Sequence, residues 1–288
     1  MQRQSRDVEA TEKNAGTTTR TVLTSKQRIN HIVQWLKSYA RSAKISTFVV
    51  GISGGIDSSV VSALCARTGL KTIVVQMPIR QNRKLDNRSS MQASWLLERH
   101  SNVTHMSMDL SPVFSAFEKK IGAFCSTEQE PNPQEQLAWA NSRSRLRMMT
   151  LYQIAQSHSG LVVGTGNRVE DFGVGFFTKY GDGGVDISPI GDCVKTAVWD
   201  MGRELGLPQE IIDAEPTDGL WDDGRTDKGQ LGMSYPELED AMRLDTLAVD
   251  DIEMRTLGKD RQRRLRQYQK IRSRNLHKML PIPVCKMP

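Results

Sequence analysis

The chain has 288 residues, 38% of them apolar and 25% charged, which suits an α/β unit with appendages and excludes a fibrous or wholly disordered protein. No apolar run approaches the roughly 18 to 20 residues that span a bilayer, and the N-terminus carries no apolar stretch behind its charges, so no membrane segment is expected and the expected setting is cytoplasmic. The four cysteines, Cys65, Cys125, Cys193 and Cys285, form no CxxC pair, so neither a zinc site nor a redox motif is suggested; the net charge of +6 leaves nucleic acid, an anionic small substrate and a basic tail open.

Residues 1–22 are polar and threonine-rich and are expected to form a disordered leader, with one domain over 23–288. From Thr24 onward, Ile29, Ile32, Val33, Leu36 and Tyr39 recur at helical spacing, with Thr24 or Ser25 as N-cap. "STFVVGIS" reads as a buried strand and "SSVVSALCART" as a helix closed by Gly69. Strand "KTIVVQMP", helix "SSMQASWLLERH", strand "NVTHMSM", helix "SPVFSAFEKKIG", a long helix from about Gln134 to His158 and strand "LVVGT" follow. Strands alternating with helices predict a doubly wound parallel sheet flanked by helices. The stretch Pro216–Ser234 is rich in Gly and Asp and reads as a long, lid-like loop. In "KDRQRRLRQYQKIRSRNLHK" the phase of Leu265, Tyr268 and Ile271 predicts a helix with a solvated basic face.

The first strand runs into "GISGGIDSSV", Gly51–Val60. Ligands of a parallel sheet collect beyond the carboxyl ends of its strands, and a Gly-rich turn into a helix N-terminus presents clustered N–H groups to an anion. Ser53, Gly54, Gly55, Ser58 and Ser59 suit such a cradle. Asp57 would repel a bound phosphate unless a cation lay between them, so magnesium is inferred. Neither GxxxxGK[ST] nor GxGxxG is present, which excludes a kinase-type P-loop and a dinucleotide-binding turn. The SGGxDS pattern resembles the pyrophosphate-binding loop of the N-type ATP pyrophosphatases, which split ATP between its α and β phosphates to adenylate a substrate.

A second passage, "GTGNRVEDFGVGFFTKYGDGGVDISPI", follows strand "LVVGT" to the same sheet edge. It gathers Thr165, Glu170, Lys179, Asp182 and Asp186 with Phe172, Phe176, Phe177 and Tyr180, a mixture suited to stacking on a ring while pairing with phosphates. This passage strongly resembles NAD synthetase, where GFFTKYGDGG is a hallmark, and the resemblance runs from about Ser25 to the C-terminus. It implies an adenine nucleotide alpha hydrolase-like, Rossmann-like fold, a ligase activity, and the substrates ATP, deamido-NAD and ammonia.

Carried over position by position, the resemblance assigns Gly51, Ile52, Ser53, Gly54, Gly55, Ile56, Asp57 and Ser58 to ATP, with Thr165, Lys195 and Thr217. Asp57 and Glu170 would hold magnesium, and Asp57 and Lys195 would act in catalysis. Arg145, Lys179, Asp186, His277 and Lys278 would contact deamido-NAD. The resemblance also implies a homodimer, a mobile loop near 80–90 and a C-terminal tail that closes on the site. The loop "IRQNRKLDNR" is basic where many relatives carry acids, and Gln81 in it is a candidate adenine contact. One residue more than in the shorter bacterial form stands between Glu170 and Phe176, which leaves Asp171 without an assigned role. Residues 1–50 hold no cysteine, unlike the amidase domain of glutamine-dependent members, so free ammonia is the expected donor. Two alternatives are an RNA-modifying ATP pyrophosphatase, encouraged by the basic helix, and a non-catalytic nucleotide-binding module of the same fold. The presence of Asp57, Glu170 and Lys195 argues against the second; no nucleic-acid or membrane partner is expected.

Overall fold

The structure, a computed structural model, describes residues 23–80, 83–125, 132–221, 224–247 and 256–287. The expected leader, residues 1–22, and Gln81 lie outside the described residues. Helix α1 (Ser25–Ala43) starts at a capping box: the Thr24 hydroxyl accepts from the Gln27 amide while the Gln27 side chain accepts from the Thr24 amide. Ile29, Ile32, Val33 and Leu36 are buried as their spacing predicts, whereas Ala40, and not Tyr39, fills the inner position of the last turns.

β1 (Thr47–Ile52), α2 (Ile56–Ala66), β2 (Lys71–Gln76), α3 (Arg83–Arg99), β3 (Val103–Ser107), α4 (Ser111–Cys125), α5 (Pro133–Ser157) and β4 (Gly160–Val162) follow in the expected alternation. The four strands form one parallel sheet in the order β3-β2-β1-β4, so β1 is central and its carboxyl end lies beside that of β4. After β4 come a π-helical segment (Arg168–Val174), α6 (Lys195–Leu205), α7 (Gln209–Ile212), α8 (Asp227–Leu231), α9 (Tyr235–Thr246) and α10 (Lys259–Met279).

The near-continuous apolar run of β1 is explained by burial on both faces. Phe48, Val50 and Ile52 pack with Leu36 of α1, Leu64 of α2 and Val198 of α6. Val49 faces the opposite layer, with Phe114 of α4 and Ala155 of α5. A third cluster, built from Val169, Val174, Leu238, Met242 and Tyr268, joins the π segment to α9 and α10.

Several boundaries differ from the sequence reading. α2 ends at Ala66 with a right-handed Arg67 cap, and Gly69 takes its positive φ of 79° in the turn beyond. α3 begins at Arg83 and not at Ser89, so most of the expected mobile loop near 80–90 is helical. The lid-like stretch is not loop throughout, because Thr226 accepts from the Gly229 amide and caps α8 within it. α9 has a legible start in "SYPE", where the Ser234 amide and hydroxyl both donate to the Glu237 carboxylate. α10 carries the expected solvated basic face, with Lys259, Arg263, Arg266, Lys270 and Arg274 exposed, while other cations of the helix are spent inside the molecule. Arg261 binds Asp240 through two nitrogens at 2.7 and 2.9 Å, Arg264 meets Glu237 at 2.9 Å, and Arg272 donates to the Phe172 and Gly173 carbonyls. Among the described residues no helix is long and apolar enough to cross a membrane, and all four cysteines are free.

Candidate active site

The register of β1 against β4, with Val49 beside Val162, delivers the loop after Ile52 and the passage after Val162 to one cavity. Gly54 forms the bend of the first loop with φ 74°. A Cβ at that position would lie 2.6 Å from the Ser89 amide nitrogen and 2.7 Å from the Arg88 Cβ, so only glycine lets the loop rest directly on α3. Gln92 of α3 fastens this contact: its carbonyl accepts from the Gly54 amide at 3.2 Å and its NH2 donates to Ser62 at 2.9 Å. Within the loop, the Ser53 and Ser58 hydroxyls lie 3.2 Å apart and the Gly55 amide donates to Ser53. These groups are turned on one another and are available for an anion to take over. Every member of Gly51–Ser58 lines the cavity except Gly54, whose use is in the turn; Thr165, Glu170, Lys195 and Thr217 line it too.

Lys195 is the centre of charge. It opens α6, its side chain is 3% exposed, and its ammonium donates to Asp57 Oδ2 at 2.5 Å and to Glu170 Oε1 at 2.9 Å. Burial alone would lower the Lys195 pKa, but the two carboxylates overcome it and hold the ammonium above the usual lysine range. Burial pulls Asp57 the other way, upward, with the ammonium opposing. We read the contact as an ion pair, because the second Asp57 oxygen also accepts, from Asn167 Nδ2 at 3.1 Å. The first turn of α2 adds its dipole to the stabilisation of that carboxylate.

Asn167 escaped the sequence reading although it is fully buried. Its side-chain oxygen accepts from the Val169 and Glu170 amides, so one residue caps the π segment and positions Asp57 across the cavity. The π geometry accounts for the additional residue before Phe176: the wider turn absorbs it, and Gly175 closes the segment at φ 66° by donating to the Glu170 carbonyl. Asp171 thereby reaches the cavity wall, where burial, followed by the Glu170, Asp182 and Asp57 carboxylates, raises it well above the ordinary carboxylate range.

Tyr235 and Asp227 are further members that the motifs did not reveal. The Tyr235 hydroxyl contacts Glu170 Oε1 and lies 2.6 Å from Asp227 Oδ2. One phenolic proton does not serve two carboxylates, and Asp227, pushed up to about 7 by burial, holds the second proton. An unfolded Asp227 ionises near its ordinary value of 3.8. Between about pH 4 and 7 the native state therefore keeps a proton that the unfolded state has released, and stability falls as pH rises through that window. The Asp227→Asn variant is expected to show a flatter profile of Tm against pH from 4 to 7; an unchanged slope would show that Asp227 titrates normally.

The residues expected to contact deamido-NAD are partly brought together. Ser144 of α5 donates to Asp182 at 2.7 Å and Asn141 accepts from Thr178 at 2.6 Å, which anchors the FFTKYGDGG turn to the long helix. Arg145 donates to the Lys179 carbonyl, the Lys179 ammonium reaches the His277 carbonyl at 2.9 Å, and Lys278 donates to the Gly175 and Phe177 carbonyls. These four thus gather beside one another, outside the lining of the phosphate-side cavity. Asp186 stands apart from them, accepting from the Val162 amide and the Tyr152 hydroxyl. Beyond α10 the chain is extended and exposed, with Ile282 66% and Val284 77% accessible, so the tail does not close over the cavity of its own chain.

A parallel α/β sheet whose carboxyl edge carries a Ser/Gly loop into a helix, with two carboxylates converging at its mouth, has the adenine nucleotide alpha hydrolase-like fold. The NAD synthase family model matches residues 28–281, and the chain belongs to that family. It is 39% identical to an NH(3)-dependent NAD(+) synthetase of Carboxydothermus hydrogenoformans over 74% of this chain and 83% of that protein. It is 35% identical to that of Methanosarcina acetivorans over 75% and 80%. Among solved structures, the NMN synthetase of Francisella tularensis superposes with a TM-score of 0.78 at 28% identity, covering 92% of this chain and all of that one. The NH3-dependent NAD synthetase of Campylobacter jejuni shares the fold with a TM-score of 0.72.

Proposed function

We propose that this protein is an ammonia-dependent NAD(+) synthase acting in the cytoplasm as a homodimer, converting deamido-NAD to NAD with ATP and releasing AMP and pyrophosphate. The observation that carries the reading is the convergence of Asp57, Lys195 and Glu170 at the mouth of the Gly51–Ser58 loop. A carboxylate is a poor acyl donor, so amide formation from ammonia needs it activated. The acceptor carboxylate attacks the α-phosphorus of ATP, the bond to the β-phosphate oxygen breaks, and pyrophosphate leaves. Ammonia then adds to the acyl carbon and AMP departs.

In this reading the loop amides and the Ser53 and Ser58 hydroxyls hold the phosphates, and Thr165 and Thr217 face the nucleotide. Lys195 offsets charge on the departing pyrophosphate. Arg145, Lys179, Asp186, His277 and Lys278 bind the acceptor, whose length must carry it beyond the phosphate-side cavity to reach them. Asp57 and Glu170 suit magnesium: two hard oxygen donors share one ammonium, leave net negative charge, and match an ion that takes the rest of its ligands from phosphates and water. When bound, that ion would neutralise the phosphate charge. The exposed tail residues Leu280, Ile282 and Val284 and the exposed Leu137 and Met149 of α5 support a covering second copy.

A second reading, with nicotinate mononucleotide as acceptor, is favoured by the likeness to the Francisella NMN synthetase. Incubation with ATP and either acceptor, with ammonium or glutamine as nitrogen source, separates the cases. AMP and pyrophosphate are expected with deamido-NAD and ammonium and not with glutamine. Preference for the mononucleotide would establish the second reading, and ADP as product would overturn both.

A further inference from the structure

Arg88 stands on α3 at the point where that helix meets the Gly/Ser loop, and it ends the basic stretch IRQNRKLDNR, in which it has no assigned role. Its backbone and Cβ lie where a side chain at Gly54 would have to go, and Gln92, one turn further along the same helix, accepts from the Gly54 amide. The loop and this part of α3 therefore form one packed unit, and Arg88 lines the cavity together with Ser53, Gly55 and Ser58. Of the other cations of the cavity wall, Lys195 is held by Asp57 and Glu170, and Arg147 is tied through Nε to the Met77 carbonyl at 3.0 Å although its Nη2, like the Arg88 Nε, is buried without an acceptor. The Arg88 Nε has no hydrogen-bond partner among the described residues. A buried guanidinium N–H left without an acceptor is costly, and its place on the cavity wall beside the Ser53 and Ser58 hydroxyls, which an anion could recruit, points to a phosphate oxygen as the missing acceptor.

We infer that Arg88 binds the β and γ phosphates of ATP, and hence the pyrophosphate that leaves, as a second wall of the site opposite Lys195. The inference rests on the synthase reading above and adds to it a cation that the loop and the FFTKYGDGG passage do not supply. It also gives a use to the basic character of the 80–90 stretch, since an arginine on α3 can offset the phosphate charge that Lys195, already shared by two carboxylates, offsets only in part. A planar, bidentate donor suits a phosphate better than a point charge, so lysine should restore only part of the binding.

The test compares the wild type with Arg88→Ala and Arg88→Lys in the full chain. Inorganic pyrophosphate and AMP are titrated separately, and KM is measured for ATP, acceptor and ammonium. Arg88→Ala is expected to weaken pyrophosphate binding and raise the KM for ATP by tenfold or more, a loss on the scale of one charge-assisted contact. AMP affinity and the KM values for acceptor and ammonium should stay within about twofold, and Arg88→Lys should recover part of the loss. Unchanged pyrophosphate affinity in Arg88→Ala would overturn the inference. So would an equal loss for AMP, which would mean that the substitution had deformed the loop. A wild type that releases no AMP from any acceptor would instead bring down the synthase reading itself, which keeps the two failures distinct.

Discussion

Replacing Asp57 with asparagine is expected to abolish AMP release, by a factor of about a hundred to a thousand or more, while leaving the fold intact. The amide keeps the shape of the carboxylate; its oxygen can accept from Asn167 or from Lys195 while its NH2 faces the other donor, and Lys195 retains Glu170 at 2.9 Å, so no buried charge is left unpaired. The site loses one of two hard anionic oxygens placed at the mouth of the phosphate loop, where the charge of ATP must be neutralised. Release of AMP measured with saturating ATP, acceptor and ammonium checks the first half, and a thermal melt checks the second. Retained activity would remove Asp57 from any role in holding a cation.

Lys195→Met is expected to cost stability as well as activity. The ammonium is shared by Asp57 and Glu170, and its removal leaves two carboxylates in a largely buried setting without their cation. Breaking a buried pair in this way costs roughly 3 to 5 kcal/mol, which for a domain of this size corresponds to a fall in Tm of about 10 °C. The sign of its pH dependence follows. With the opposing ammonium gone, burial holds the Asp57 carboxyl further above its usual range, so the native variant keeps a proton that the unfolded chain has released. Its deficit should therefore shrink as pH falls from 8 toward 5. The melts are to be made without divalent ions, which would replace the missing cation. A Tm within 2 °C of the wild type at pH 8 would show that the ion triad does not hold the site together.

The two variants differ because each residue has a different set of partners, and that information lies in the tertiary structure. Asp57 and Glu170 were legible as candidates from the SGGxDS and GTGNRVED passages, each a dense local pattern behind an apolar strand. Lys195 was legible only by resemblance, since a single lysine in a first helical turn carries no local signal. The structure places it, 3% exposed, between two residues far from it in sequence. Asn167, Tyr235 and Asp227 were missed for the same reason. A side chain that matters through its hydrogen bonds across a fold looks ordinary along the chain. Tyr235 follows a visible capping box, and Asn167 sits in the GTGN turn, but neither context says which carboxylate it will meet.

The π segment shows the complementary case. The additional residue before Phe176 could be counted in the sequence, yet its effect depended on whether the backbone would bulge outward or widen its turn. Packing of Val169 and Val174 against Leu238, Met242 and Tyr268 holds the wider turn, and Asp171 faces the cavity as a consequence. The basic helix is a helix with Leu265 and Tyr268 buried, as its phase predicts, and only the structure shows which of its cations turn inward: Arg261 to Asp240, Arg264 to Glu237, and Arg272 to backbone carbonyls.

By itself the sequence determined the parallel α/β alternation, the Gly/Ser turn at the end of the first strand, and the family to which the FFTKYGDGG passage belongs. Periodicity, glycine placement and clustered polar residues act over a few turns of chain, and these are properties a sequence displays directly. Only the tertiary structure decided that Lys195 spends its charge on Asp57 and Glu170, that Gly54 is small to admit α3, and that Arg88 comes to rest beside the loop. Those outcomes depend on which distant surfaces pack together, and desolvation then sets the strength of every charge they enclose.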